Sequence, residues 1–269
     1  MTILVLGGTG KTGRRLADRL AALDRPVRIG SRSAVPNFDW HDRSTWPAAL
    51  DGVTAVYLSY YPDLTFPGAY DDIKAFTELA ARGGVRRVVL LSGRGEPAAQ
   101  ASERTVEESG MEWTVLRCSW FMQNFSEDFL LGQVLDGVIA LPAADVPEPF
   151  VDVEDIADVA AAALTQEGNA GRVYELTGPR TLTFAEAAAE LSKATGREIS
   201  FVRVTRADYL AAAVAQGLPR EEAEGMAALF TEVLDGRNAS LADGIRQALG
   251  RPARDFTDFA TANAAAWRV

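Results

Sequence analysis

The tightest constraint on this chain lies in its first thirteen residues. An apolar run, Ile3-Leu4-Val5-Leu6, leads directly into Gly7-Gly8-Thr9-Gly10-Lys11-Thr12-Gly13, and a segment of helical character follows in which Leu16, Leu20 and Leu23 share a face. Strand, glycine loop and helix in that order fit G-x-x-G-x-x-G in the context where the pattern has a mechanism. Gly7 can make the tight turn, Gly10 lets the backbone approach a pyrophosphate without a Cβ in the way, and Gly13 lets helix and strand pack closely. The N–H groups that open the helix, at the positive end of its dipole, then face the phosphates. Gly7, Thr9, Gly10, Lys11, Thr12 and Gly13 are therefore the candidate cradle, with Arg14 next to it. A P-loop needs four residues between its first glycine and Gly-Lys-Ser/Thr, whereas here only two residues stand between Gly7 and Gly10, so ATP hydrolysis is rejected.

The second apolar run, Val27-Arg28-Ile29, ends in Gly30-Ser31-Arg32-Ser33. Sheets that bind NAD(H) usually place Asp or Glu there to accept hydrogen bonds from the ribose diol. No carboxylate stands in this stretch to repel a 2′-phosphate, while Ser31 and Arg32 offer donors and Arg14 can reach the same group from the other side. NADP(H) is favoured over NAD(H).

Further apolar runs recur at Ala55-Val56-Tyr57-Leu58, Val88-Val89-Leu90-Leu91 and Thr114-Val115-Leu116-Arg117. They do not alternate with polar residues, as expected of strands buried on both faces. Helical periodicity lies between them, as in Tyr70, Ile73, Phe76, Leu79 and Ala80 before a C-cap at Gly83-Gly84. The spacing is that of βαβ units and predicts an α/β fold with a doubly wound parallel sheet. The stretch from Gly30 to Val53 is too irregular for a full helix; it reads as a short strand around Asn37-Phe38 and a helix from Ser44, giving six or more strands. Beyond Cys118, Gly132, Gly137, Pro142, Pro147 and Pro149 break the chain into short pieces. Regularity returns with a helix behind Asp152, a capping box at Thr183-Phe184-Ala185-Glu186 opening a helix that Gly196 ends, and a strand from Ile199 to Val204. Residues 1–150 read as a dinucleotide-binding domain of Rossmann type and 151–269 as a smaller C-terminal α/β domain for the substrate, across a soft boundary that later segments can cross back to the main sheet.

Composition narrows the partners. The chain has 269 residues and a net charge of −10, yet its first fifty residues hold eight Lys and Arg against four acids. A small anion suits that end, and a nucleic acid is repelled by the rest. Arg15, Arg19 and Arg25 read as solvating the first helix. One cysteine, Cys118, and one histidine, His41, support neither an internal disulfide nor a metal site with soft ligands. No leader pattern and no apolar stretch near ~18 residues is visible, so the expectation is a cytoplasmic chain that does not enter membranes.

Gly7 to Arg15, Ser31-Arg32, Phe38-Asp39-Trp40, Trp113 to Arg117 followed by Trp120-Phe121-Met122-Gln123-Asn124-Phe125, and Phe150 to Ala157 together resemble the NmrA-like family of atypical short-chain dehydrogenase/reductases. Within it the similarity is to the quinone-oxidoreductase-like and ergot-alkaloid-reductase-like branch, and it runs through Leu176-Thr177-Gly178-Pro179. The resemblance implies a Rossmann domain binding NADP(H), Asp39 near the adenine amino group, and a substrate cleft beside a small C-terminal domain. It also implies two kinds of activity, reduction of small molecules or sensing of the dinucleotide's redox state through a protein partner.

Ligands of open α/β sheets bind beyond the carboxyl ends of the strands, here Ser59-Tyr60-Tyr61-Pro62, Ser92 to Glu96 and Cys118 to Phe121. Ser59 belongs with the coenzyme residues. Standard members of the superfamily follow a serine at the position of Ser92 with Tyr-x-x-x-Lys, whose phenol donates a proton. Between Ser92 and Trp113 there is neither Tyr nor Lys, and Tyr70 to Lys74 matches the spacing only on the wrong helix, with Tyr70 and Ile73 expected in the core. Tyr60 and Tyr61 are then the candidate proton donors, with Ser92 as helper and water as the fallback. Loss of the pair suits a quinone or iminium, which needs little positioned acid, and Trp120, Phe121 and Phe125 are candidate walls for so flat a molecule. Cys118 reads as a buried structural thiol. The expectation is an NADPH-dependent reductase of a small planar electrophile of the quinone, iminium or enone type, compatible with a homo-oligomer. The alternative is an NADP(H)-sensing regulator that acts through a protein partner without turnover, and a non-redox isomerase or cyclase ranks third.

Overall fold

The computed structural model describes residues 2–143 and 145–268. In chain order the strands and α-helices are β1 (Thr2–Leu6), α1 (Lys11–Ala22), β2 (Val27–Gly30), α2 (Trp46–Leu50), β3 (Val53–Leu58), α3 (Ala69–Arg82), β4 (Arg87–Gly93), α4 (Pro97–Glu107), β5 (Glu112–Cys118), α5 (Asn124–Glu127), α6 (Leu131–Asp136), β6 (Val138–Leu141), α7 (Val153–Thr165), β7 (Arg172–Leu176), α8 (Phe184–Thr195), β8 (Ser200–Arg203), α9 (Arg206–Ala215), α10 (Arg220–Val233), α11 (Gly244–Leu249) and α12 (Phe256–Ala262). The chain forms two compact units, each made of separated segments. One contains Met1–Cys118, Val153–Leu176 and Asp243–Arg251; the other contains Ser119–Asp152, Thr177–Ala242 and Pro252–Val269.

The first unit holds a six-stranded sheet in the order β2-β1-β3-β4-β5-β7. Every pairing in it is parallel, the geometry that unbroken apolar runs favour because both faces must be covered. From β1 the chain turns first to β2 on one side and then to β3 on the other, so the switch in winding direction falls at the carboxyl end of β1. The sixth strand is β7 rather than the short strand expected at Asn37-Phe38, where no strand forms. There Phe38, Trp40, Trp46 and Phe76 pack as an aromatic cluster, with Phe38 edge-on to Trp40 at 4.9 Å and to Phe76 at 5.7 Å. Ring packing thus fastens this segment where ladder hydrogen bonds would otherwise do so.

α1 and α7 lie side by side within the first unit. Arg15 meets Glu154 at 2.6 Å, and Arg19 bonds both Glu154 and Asp158. Arg251 reaches Asp155, which is fully buried, at 2.7 Å. Burial would push Glu154 up, but Arg19 and Arg15 outweigh it and hold the carboxyl below its ordinary value. Arg15 and Arg19 therefore do not solvate the first helix as expected; they bind it to a partner 139 residues away. Two smaller expectations also fail, since Leu23 and Tyr70 are exposed while their helix neighbours Leu20 and Ile73 are buried.

The second unit carries the parallel pair β6-β8 and a core of Phe125, Phe150, Phe184, Phe256 and Trp267 among aliphatic residues. The capping box opens α8 as its sequence indicates. Thr183 accepts from the Glu186 N–H, Glu186 accepts from the Thr183 N–H, and Gly196 closes the helix at φ +70°. Such a cap contributes about 1 kcal/mol.

Candidate coenzyme site and strand-end residues

The glycine loop is closed by its own backbone. Gly7 has φ +62°, in the left-handed region that favours glycine, and its carbonyl accepts the Gly10 N–H at 2.8 Å. A Cβ on Gly13 would stand 2.2 Å from the Gly7 carbonyl oxygen, so only glycine lets α1 begin so close to the loop. Gly8, given no role from the sequence, is nearly as restricted: its Cβ would meet the Ile29 side chain and the Val5 carbonyl, each at 2.9 Å. α1 opens without a side-chain cap and without an acid in its first turn. Such an opening accepts a phosphate where Asp or Glu would repel one. Thr9, Gly10 and Arg14 are exposed, Lys11 is part-buried, and Thr12 is buried. Ser59, at the end of β3, sits 3.4 Å from the position of a Gly7 Cβ, so that strand end adjoins the loop.

Beyond β2, the Ser31 and Ser33 hydroxyls lie 3.3 Å apart, and the Ser31 carbonyl accepts the Phe38 N–H at 2.9 Å. Arg32 is exposed and forms no ion pair among the described residues. Asp39 is half-buried and held by local bonds: its carboxylate accepts the His41 N–H at 3.0 Å and its carbonyl accepts the Trp46 indole N–H at 2.8 Å. The Trp40 indole donates to the Ser59 carbonyl at 3.1 Å, joining the loop after β2 to the end of β3. These groups surround the switch point with donors suited to a phosphorylated ribose, and the glycine cradle leaves a shape that a Cβ would fill. The residues present fit a dinucleotide.

The candidate proton donors are arranged differently. The Tyr60 hydroxyl donates to Asp72 at 2.9 Å, and Arg43 bonds the other oxygen of the same carboxylate at 2.8 Å. Burial, and then the Asp72 carboxylate, push the Tyr60 phenol above its ordinary range. Tyr61 is 62 % exposed. Ser92 is buried and donates to Glu103 at 2.6 Å. Glu103, only 1 % exposed, receives Arg117 on both oxygens, at 3.0 Å from Nε and 2.6 Å from the terminal nitrogen. A polar lock thus ties β4, α4 and β5. Cys118 is buried, and burial followed by the charge of Glu96 pushes its thiol up, away from nucleophilic use.

In the second unit, Trp120 and Phe121 are part-exposed. The Trp120 ring stands edge-on to Phe184 at 5.5 Å and tilted to Phe230 at 5.1 Å, while its buried indole N–H has no acceptor among the described residues. Phe125 is 0 % exposed and packs against Phe150, Phe184 and Phe256. It is a core side chain rather than a pocket wall, because no part of its ring reaches the surface.

Residues 100–259 match the NmrA-like family. The chain is 35 % identical to agroclavine dehydrogenase of Claviceps fusiformis, covering 99 % of each. It is 31 % identical to an NAD(P)H azoreductase of Xenophilus azovorans, covering 98 % of this chain and 99 % of that one. An Escherichia coli NADPH-dependent quinone oxidoreductase, solved with NADPH, superposes with a TM-score of 0.81 at 21 % identity, covering 97 % of this chain and 99 % of that one; this similarity concerns the fold. The chain belongs to the NmrA-like family.

Proposed function

We propose that this protein is an NADP(H)-dependent reductase of a small planar electrophile of the quinone, iminium or enone type. The observation that carries the reading is the cradle itself: a loop that Gly13 alone can close, an α1 opening with no side-chain cap or acid, and Arg32 exposed beyond β2. The relatives named as a dehydrogenase and an azoreductase support the reaction class, and the coenzymes in the names of the azoreductase and the quinone oxidoreductase support the choice of nicotinamide. Coenzyme binding is assigned to the unit that contains residues 1–118, and acceptor recognition to the unit that contains residues 119–152 and most of the chain beyond 176.

When bound, the reduced nicotinamide supplies a hydride to the electrophilic carbon or nitrogen. The α1 opening and Lys11 hold the pyrophosphate, and Arg32, Ser31 and Arg14 hold the 2′-phosphate. Trp120 and Phe121 offer flat apolar surface to the acceptor. Tyr60 and Ser92 each direct their one proton onto a carboxylate of the chain, so neither hydroxyl presents a proton outward. That favours acceptors whose reduction ends on a stable anion or a neutral amine, with any proton taken from water. It also gives the sensing alternative its one specific support, since a regulator has no use for a positioned acid. Purified protein titrated with NADPH and NADH, followed by acceptor panels that monitor NADPH oxidation, tests both. Turnover with saturable acceptors is expected. Tight binding with no turnover across quinones, iminium ions and enones would favour the sensor, and no binding would remove both.

A further inference from the structure

Tyr57 is the next-to-last residue of β3, in register with Val5 of β1 and Val89 of β4, and is 0 % exposed. Its hydroxyl is buried as well and has no hydrogen-bond partner among the described residues. Burial pushes the phenol up; Thr12, in the first turn of α1, lies near enough to act against that but without the geometry of a hydrogen bond, and Cys118 at the end of β5 is a further neighbour. By register the residue lies near the carboxyl edge of the sheet, opposite Val5, two residues before Gly7, with Thr12 of α1 a neighbour of its hydroxyl. An interior donor left without an acceptor is destabilising, and phenylalanine would fill the same space without it. The other buried hydroxyls without partners among the described residues, Thr77, Ser102 and Ser126, stand inside helices, where a carbonyl of the preceding turn can come within reach by rotation. A phenol on a central strand has no carbonyl of its own element within such reach.

We propose that Tyr57 is a coenzyme-binding residue, its hydroxyl donating through one buried water, shared with Thr12, to the pyrophosphate held by the glycine loop. The proposal rests on the dinucleotide reading above. A bridging water needs two or more polar partners in a roomy site, and the two hydroxyls with a phosphate oxygen supply three. Coenzyme thereby supplies, through the water, the acceptor that no group of the described chain offers.

The test is Tyr57→Phe beside Thr12→Val and the double variant, each measured by nicotinamide fluorescence titration with NADPH and by thermal unfolding with and without coenzyme. Tyr57→Phe is expected to keep or raise the unliganded Tm, because an unsatisfied donor has gone, and to weaken NADPH binding about tenfold. Thr12→Val is expected to weaken binding similarly, and the double variant to lose little more, as two groups sharing one water require. A fall in the unliganded Tm of Tyr57→Phe would mark the hydroxyl as merely structural and overturn the proposal. So would wild-type affinity in that variant. If the wild-type protein binds neither NADPH nor NADH, the coenzyme reading itself fails and this inference goes with it.

Discussion

The carboxyl edge of the main sheet is built in two contrasting ways. At the end of β1 and β2 the chain closes a loop by glycine contacts, opens α1 without a cap and leaves Arg32 without an ion pair among the described residues. At the ends of β3 and β4, hydroxyls are bound to carboxylates that are themselves held by arginines: Tyr60 to Asp72 to Arg43, and Ser92 to Glu103 to Arg117. The first arrangement is the one proposed to bind coenzyme, whereas the second is already satisfied within the chain. Under the proposed function the first half holds a charged coenzyme, while Tyr60 and Ser92 in the second keep their protons on carboxylates, and each half of that contrast can be attacked separately.

The largest effect is expected from Gly13→Ala. The added Cβ would lie 2.2 Å from the Gly7 carbonyl oxygen, a backbone atom, so the loop must open. NADPH affinity in a fluorescence titration should fall a thousandfold or more, about 4 kcal/mol. Retained affinity would show that α1 can move away without harm and would break the first half of the contrast. Next, Glu103→Ala leaves Arg117 without its main partner and Ser92 without its acceptor. Because Arg117 keeps some solvent access, the loss of stability should be about 3 kcal/mol by urea unfolding, at the lower end for broken buried pairs. A loss under about 1 kcal/mol would mean that the lock is a surface pair in energetic terms. Arg32→Ala should reduce NADPH affinity about ten- to a hundredfold and leave NADH nearly unchanged, as removal of one charge-assisted contact implies. An unchanged ratio of the two coenzymes would move the source of 2′-phosphate selectivity away from β2.

What was legible in the sequence follows the range of the forces involved. The role of Gly7 is a local backbone requirement, and the Thr183–Glu186 box spans three residues, so both can be read from a few neighbouring letters. The parallel sheet is legible for a related reason: a strand buried on both faces has to be apolar along its whole length. Arg15 and Arg19 could not be read, because the acids that claim them lie on α7 and nothing near α1 announces them. Phe125 shows the same difficulty in an apolar residue, since a ring that walls a pocket and a ring in a core use the same letters. The segment around Phe38 lacks a strand although its residues permit one; three aromatic residues within nine positions were the available signal that packing would take over. In the candidate site, the structural roles of Gly7 and Gly13 were legible, whereas that of Gly8, set by Ile29 on the neighbouring strand, was not. The inward commitment of Tyr60 and Ser92 was not, because it depends on Asp72 and Glu103, each on a following helix and selected only by folding.

That inward commitment yields the smallest expected effect and the sharpest discrimination. For Tyr60 to act as an acid it must leave Asp72, and its phenol is already shifted upward by burial and by that carboxylate, so it holds its proton through the ordinary working range. Its folded-state pKa lies above the unfolded value of about 10, so no titration of Tyr60 falls between about pH 6 and 9. Tyr60→Phe and Ser92→Ala should each change kcat for a quinone or iminium acceptor by less than about threefold, with parallel pH profiles, whereas a positioned general acid contributes about 10²- to 10⁴-fold. Tyr60→Phe removes a hydroxyl but leaves Arg43 on Asp72 and the ring against Trp40 at 4.9 Å, so the fold has little reason to respond and the rate reports on the proton alone. A hundredfold loss in kcat with unchanged KM would mean that the hydroxyl turns from Asp72 toward the acceptor during turnover, and the β3 end would then join the working half of the sheet edge.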